Sequence, residues 1–425
     1  MTMRQLGKTA GRRAAVAAMT IGVLLAATPA QAAEGGSGSG FDRQQLRQAL
    51  SAVHEAGMFG LYSAVNDGAK SWRGASGVAE VRTNRPVTSG MVHRVGSITK
   101  TFTAVAMLQQ VARGKVELDA PIGRYLPDVV PGERGQRITV RMLLNHTSHI
   151  ADFVGPAFPS LYEGSPQSLD DNRLRRFTRQ EVARLGLDAP PTGAPGSTPG
   201  VYSNTNYVLV GMILQKVTGL EPEEYITRHV IRKAGLRHTS FPRTPFIPGP
   251  HSKAYESLFG MIDPPRDYSV YEVSFLNTAG ALTSTMDDLN RFFRALLRGE
   301  LIGPAELTEM RKTVPVEAGG VLNYGLGIYA YDLPCGRFWG HSGSVFGMAT
   351  ESLTSEDGRR QVSMGVNRTK YQTIDESGQV VPHDIDYATA SYLLLAACGS
   401  SGDAQVRAAA PQFVPFAVDQ VRVKR

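Results

Sequence analysis

Ser97 and Lys100 stand three residues apart in RVGSITKTF, at the head of the apolar run AVAMLQQVA. Positions i and i+3 of a helix share a face, so the amine can approach the hydroxyl. Serine is also a good helix N-cap. A cap, however, favours Glu or Gln three residues on, and a lysine in the first turn meets the positive end of the helix dipole. Burial and the dipole both disfavour an ammonium, which suits a lysine that handles protons. The helix N-terminus also favours negative charge developing on an attacked carbonyl oxygen. Ser97 can thus be a nucleophile with Lys100 its activating amine, or simply the cap of a buried helix with Lys100 a surface charge one turn on; the motif alone leaves both readings open.

Such a nucleophile needs a second proton-handling group, a substrate positioner and an oxyanion site. Tyr202-Ser203-Asn204 lies between the loop LDAPPTGAPGSTPG and the apolar stretch YVLVGMILQKVTG. In extended chain, residues two apart project to the same side, so Tyr202 and Asn204 could face one cleft. The plainer alternative has Asn204 or Asn206 capping the helix and Tyr202 packing. His341-Ser342-Gly343 ends a predicted strand, where Gly343 lets another backbone come close. Ser-x-x-Lys, Tyr-x-Asn and His-Ser-Gly each occur once, in that order.

The elements that must position these groups are legible in outline. A helix is predicted from Asp42 to Ala56, then strands from Leu61 to Val65 and Trp72 to Glu80. The segment Thr101 to Ala112 is apolar nearly all round and predicts a helix buried on every side. The last third reads as strands from Tyr324 to Tyr331, Arg337 to His341, Phe346 to Leu353 and Arg360 to Val366. Glu356-Asp357-Gly358 supplies a hairpin turn, and a helix from Tyr387 to Ala397 follows. The pattern predicts an α/β (α+β) catalytic domain over 41–398. One lobe is built from about 41–96 and 281–398, with a mainly helical lobe over about 97–280 between them.

Outside that domain, residues 1–33 carry Arg4, Lys8, Arg12 and Arg13, an apolar stretch from Ala14 to Ala27, and Ala30-Gln31-Ala32 as a small-x-small cleavage site. This is the pattern of a secretory signal cut near Ala32 or Ala33, and the mature chain is expected to be exported. Residues 34–40 read as a Gly/Ser linker and 399–425 as a C-terminal tail. The signal holds four of the 45 basic residues and none of the 38 acidic ones, so the formal charge of +7 falls to +3 without it. With no basic run interleaved with aromatics, nucleic acid is not an expected partner, and no membrane anchor is expected. Two cysteines, Cys335 and Cys398, in an exported chain are most simply a disulfide. The competing reading is a nucleophilic cysteine with a histidine partner. His146, His149 and Asp152 superficially resemble metal spacing, but helical context is missing and no metal is expected.

Taken together, these motifs resemble the serine penicillin-recognising family of class C β-lactamases, D-aminopeptidases, related esterases and DD-peptidases. The likeness runs from about Phe41 to Cys398 and is nearest to the soluble, exported D-alanyl-D-alanine carboxypeptidases. It implies a β-lactamase/transpeptidase-like fold, a five-stranded antiparallel sheet flanked by helices plus a helical lobe. It implies that Ser97 is acylated, that Lys100, Tyr202 and His341 complete the catalytic set, and that Asn204 holds the substrate amide. The N–H groups of Ser97 and Ser344 would form the oxyanion hole, Ser342 would bind the substrate carboxylate or backbone, and Phe158 and Phe275 would wall the cleft. It implies D-Ala-terminated substrates, β-lactams as covalent inhibitors or substrates, no cofactor and a monomer. Two departures stand out. Tyr329 follows Tyr-Gly-Leu-Gly-Ile where the carboxypeptidases carry a carboxylate-binding Arg, a contact worth about 1.5–3 kcal/mol. Ser342 or Arg337 are the candidates to replace it. His149 stands where relatives have Gly.

Overall fold

The computed structural model describes residues 41–317 and 321–399, all within one compact unit. The expected signal, the linker 34–40 and the tail beyond Gly399 lie outside the described residues. Ten strands make one sheet: β1 Gly60–Asp67, β2 Lys70–Glu80, β3 Arg85–Pro86, β4 Gly200–Val201, β5 Val314–Glu317, β6 Val321–Tyr324, β7 Tyr329–Leu333, β8 Gly336–Val345, β9 Met348–Ser355 and β10 Arg360–Val366. Their order is β3-β2-β1-β10-β9-β8-β7-β6-β5-β4. Neighbours are antiparallel except β4 and β5, which run parallel. The expected five-stranded antiparallel sheet is the block β2-β1-β10-β9-β8, and short strands extend it on both sides.

The main helices are α1 Arg43–Glu55, α2 Thr99–Ala112, α3 Asn204–Thr218, α4 Met286–Leu297 and α5 Asp384–Cys398. Period-two alternation on β1 divides the core: Leu61 and Val65 face one layer, Tyr62 and Ala64 the other. The first layer is closed by α1 and α5 through Leu46, Leu50, Val53, Ile385 and Leu393. The second holds α4 and the nearly all-buried α2, with Phe292 stacked on Phe102 at 3.6 Å. Cys335, in the β7–β8 turn, is bonded to Cys398 at the end of α5. The two cysteines are thus a structural pair.

One element differs from the sequence expectation. The predicted strand from Tyr324 to Tyr331 is two strands, because Gly325-Leu326-Gly327-Ile328 forms a turn closed by Gly325 N–H on Ile328 O at 2.7 Å. Gly327 has φ +75°, and a side chain on Gly325 would meet Met310 O at 2.1 Å. Both glycines serve the turn and not a strand.

Candidate active site

Ser97 sits in a 3₁₀ turn, Gly96–Ile98, that leads into α2. The turn is fixed from three sides. Val95 N–H bonds Leu282 O at 3.0 Å, Thr99 Oγ1 donates to Gly96 O at 2.7 Å, and Leu282 N–H bonds Thr99 Oγ1 at 3.1 Å. Gly96 takes φ +52°, and a Cβ there would lie 2.7 Å from both N and O of Ser344. Gly343 is equally constrained: its Cβ would meet Val95 O at 2.0 Å and Ser97 N at 2.8 Å. The two glycines let β8 lie directly against the serine turn, bringing the backbones of Ser97 and Ser344 together.

Lys100, the second residue of α2, is buried, and its Nζ donates to three acceptors: Ser97 Oγ at 2.8 Å, Asn204 Oδ1 at 2.6 Å and Ala279 O at 2.9 Å. These account for all three N–H groups of an ammonium. Nζ also lies 4.9 Å from the centroid of the Tyr202 ring. Ser97, Lys100, Tyr202 and Asn204 are thus gathered from two helix starts and the chain between β4 and α3. Asn204 is the first residue of α3, following Ser203 in extended conformation.

Asn204 owes its orientation to Asp152. Its Nδ2 donates to Asp152 Oδ2 at 2.7 Å and its backbone N–H reaches the same oxygen at 3.3 Å, so Oδ1 turns to Lys100. Burial raises the Asp152 carboxyl above its ordinary pKa, opposed by hydrogen bonds from Val154 and Asn204 and by the charge of Lys100. The loop bearing Asp152 is stitched to α3 by Thr205 Oγ1 on Ala151 O (2.7 Å) and Ser148 Oγ on Asn206 Oδ1 (2.6 Å). His146, at φ +61°, accepts Ser203 N–H on Nδ1 at 3.2 Å and packs against Tyr202 with ring centroids 4.2 Å apart and planes tilted by 36°. His149 turns away, to Thr192 Oγ1 and Ser197 O. Among the described residues no group of three or more His, Cys, Asp or Glu is placed to hold a metal ion.

His341, on β8, is buried beside Tyr324 and Tyr329. Its Nδ1–H faces Ser342 O, so Nε2 is the acceptor and takes the Tyr324 hydroxyl at 2.7 Å. Burial pushes its pKa down to about 3, and the charge of Lys100 acts in the same direction. The ring is therefore a neutral hydrogen-bonding group, not a cation standing in for lysine. Phe158 and Phe275 touch at 5.1 Å in a buried aromatic cluster that reaches β8 through Phe346. Both rings are buried in that cluster.

Tyr329 places its hydroxyl on Glu351 Oε1 at 3.1 Å, and the Tyr331 hydroxyl donates to that of Tyr329 at 3.0 Å. Arg337 makes a bidentate bond to Asp332 at 2.7 and 2.9 Å, so its guanidinium is committed there. Sequence reasoning missed Glu351 and Tyr324 and took Asp152 and His146 only as spurious metal spacing. The polar run NHTSHIAD just before the hydrophobic Phe153 was the available signal, since so many polar groups can be buried only with partners.

The Beta-lactamase family model matches residues 17–369. Among solved structures, a D-stereospecific amidohydrolase from Streptomyces sp. is 35% identical, with TM-score 0.70, covering 77% of this chain and 94% of that one. The D-amino acid amidase from Ochrobactrum anthropi SV3, at 23% identity and TM-score 0.68, shares the fold over 87% of this chain and 98% of its own. Penicillin-binding protein 4* of Bacillus subtilis (strain 168) is 25% identical over 333 residues, 75% of this chain and 70% of that protein. The chain therefore belongs to the Beta-lactamase family, as a serine hydrolase of the β-lactamase and penicillin-binding protein fold.

Proposed function

We propose that this chain is a D-stereospecific serine amidohydrolase working through an acyl-enzyme on Ser97. The observation that carries the reading is the Lys100 amine, 2.8 Å from Ser97 Oγ and tied to Asn204 and Ala279. Ser97 Oγ bonds to the substrate carbonyl carbon while its proton passes into the Lys100–Tyr202 pair. The developing oxyanion is met by the N–H groups of Ser97 and Ser344. The C–N bond then breaks, the leaving amine takes up the proton, and water hydrolyses the ester to free acid and Ser97. Lys100 donates all its hydrogens as an ammonium, so its part is to stabilise Oγ as negative charge grows. Tyr202, reacting as the phenolate that a neighbouring ammonium favours, receives the Ser97 proton and later returns it to the leaving amine. His341 holds Tyr324 and Ser342, and Asn204 bonds the substrate amide.

The D-stereospecific amidohydrolase, with its 35% identity over nearly its whole length, supports an amide substrate of D configuration. D-Ala-D-Ala carboxypeptidase is the second reading, favoured by the motif set and the likeness to penicillin-binding protein 4*. It is weakened by Tyr329 where a carboxylate-binding cation is needed. β-Lactams acylate the same serine in either reading. We read the mature chain as exported and monomeric, with the Cys335–Cys398 bond suited to an oxidising compartment.

The test is turnover of a D-amino-acid amide, its L-enantiomer, a p-nitrophenyl ester and N-acetyl-D-Ala-D-Ala, with Ser97→Ala as control. Turnover of the D-amide and the ester, lost in Ser97→Ala, is expected. Turnover of none of the four by the purified mature chain overturns the reading.

A further inference from the structure

The chain entering α3 is held from two sides. Val201 N–H donates to His146 O at 3.1 Å and Ser203 N–H to His146 Nδ1 at 3.2 Å, while Tyr202 N–H between them bonds Glu317 O on β5 at 3.0 Å. Both amides flanking Tyr202 thus end on one histidine. Gly200 makes the approach possible, since a Cβ there would lie 2.6 Å from His146 O. The imidazole also packs on the Tyr202 ring, with the centroids of Tyr324 and Tyr207 4.8 and 5.4 Å away.

His146 holds this place at a cost. It is a non-glycine residue at φ +61°, in the left-handed region, and residues held there cluster at functional sites. Asn206 Nδ2 donates to Nδ1 as well, at 3.2 Å, so Nδ1 is the acceptor and the ring proton sits on Nε2. Nε2 is buried and has no hydrogen-bond partner among the described residues, a donor left unmet in the interior. Burial holds the pKa of the ring well below the ordinary histidine value and Lys100 acts in the same direction, so Nδ1 stays an acceptor. An apolar side chain would fill the same space without the stranded donor.

We infer that His146 is a positioning residue for acyl transfer: it clamps the backbone on both sides of Tyr202 and so fixes where the Tyr202 hydroxyl meets Ser97 Oγ. It touches neither the substrate nor the reacting atoms. Tyr202 takes the Ser97 proton as Oγ bonds to the carbonyl carbon and returns it to the leaving amine. Its placement therefore bears on that transfer and not on substrate binding. This inference rests on the acyl-transfer reading above and assigns that site a further residue.

The test is single-turnover acylation by a fluorescent penicillin, which separates the apparent Kd from the limiting rate constant. In His146→Leu the limiting constant should fall by about 10- to 100-fold, toward the scale of a 1 Å misplacement, while Kd stays within about twofold. His146→Asn keeps an acceptor at the position of Nδ1 and tolerates the left-handed backbone, so it should recover most of that loss. In Tyr202→Phe, where no hydroxyl remains to position, His146→Leu should cost less than about threefold. Each constant is read on the molecules that acylate, so it does not depend on how much of a variant folds. Equal losses in the two backgrounds, a wild-type limiting constant in His146→Leu, or no recovery in His146→Asn overturns the inference and leaves acyl transfer standing. Absence of any Ser97 adduct in the wild type would instead remove the acyl-transfer reading and this inference with it.

Discussion

Replacing Asp152 with Asn should slow acylation of Ser97 without touching any reacting atom. The 2.7 Å bond from Asn204 Nδ2 to Asp152 Oδ2 is what turns Asn204 Oδ1 toward Lys100 Nζ, 2.6 Å away. With Asn at 152 the acceptor is uncharged, and the Asn204 amide loses its reason to keep one orientation. A hydrogen bond to a charged group is worth about 1.5–3 kcal/mol. Spent wholly on holding Lys100 for attack, that is roughly a 10- to 100-fold loss in rate. The assay is the second-order rate constant for acylation by a fluorescent penicillin, in a cycle of Asp152→Asn, Asn204→Ala and the double variant. Since Asp152 acts through Asn204, the two losses should fall short of additivity by more than about 0.5 kcal/mol. Additive losses, or a wild-type rate in Asp152→Asn, would refute the relay. Wild-type acylation should also fall with acidification at a pH above the ordinary Asp pKa, because burial raises that of Asp152. In Asp152→Asn this limb should be gone.

Other consequences are equally direct. Gly343→Ala would put a Cβ 2.8 Å from Ser97 N. It should cut acylation by about 100-fold, the scale of a 1 Å misplacement, with circular dichroism showing the fold retained. His93 and His341 are buried with pKa values pushed down to about 3. Between about pH 6.5 and 3 the unfolded chain binds protons these rings refuse, so stability rises with pH there and is lost on acidification. Each ring contributes about 1.4 kcal/mol per pH unit in that window. Urea midpoints at pH 7 and pH 5 check this, and an equal midpoint at both would contradict it. Replacing Cys335 and Cys398 together with Ser opens a link between residues 63 apart. It should cost roughly 4 kcal/mol in urea unfolding by the loop-entropy relation, and a loss below about 1 kcal/mol would count against that account.

What could be read from the sequence was what local spacing encodes. Ser97 and Lys100 meet because i and i+3 share a helix face, and their contact needs only the 3₁₀ turn Gly96–Ile98 and the first turn of α2. Tyr202-Ser203-Asn204 was legible as a chain segment entering a helix, but the direction of the Asn204 amide was not. That depends on Asp152, 52 residues earlier, and on the loop that Thr205 and Asn206 tie down. The strand break at Gly325-Leu326-Gly327 was hidden because the apolar residues around it alternate as a strand would. Glu351 sits in the strand run Ala349-Thr350-Glu351-Ser352-Leu353, where period two predicts a face but not which residue lies opposite. Register gave it Ser342, and two hydroxyls from β7 made a buried carboxyl tenable. The ten-stranded extent of the sheet was likewise out of reach, since β3 and β4 are two residues each.

In the proposed reaction Ser97 carries the acyl group. Intact mass spectrometry of the mature chain mixed with benzylpenicillin tests it most directly. One added penicilloyl mass per chain is expected, mapped by peptide digestion to the segment holding Ser97 and absent from Ser97→Ala. Adduct formation at another residue, or labelling of Ser97→Ala at the wild-type rate, would contradict it.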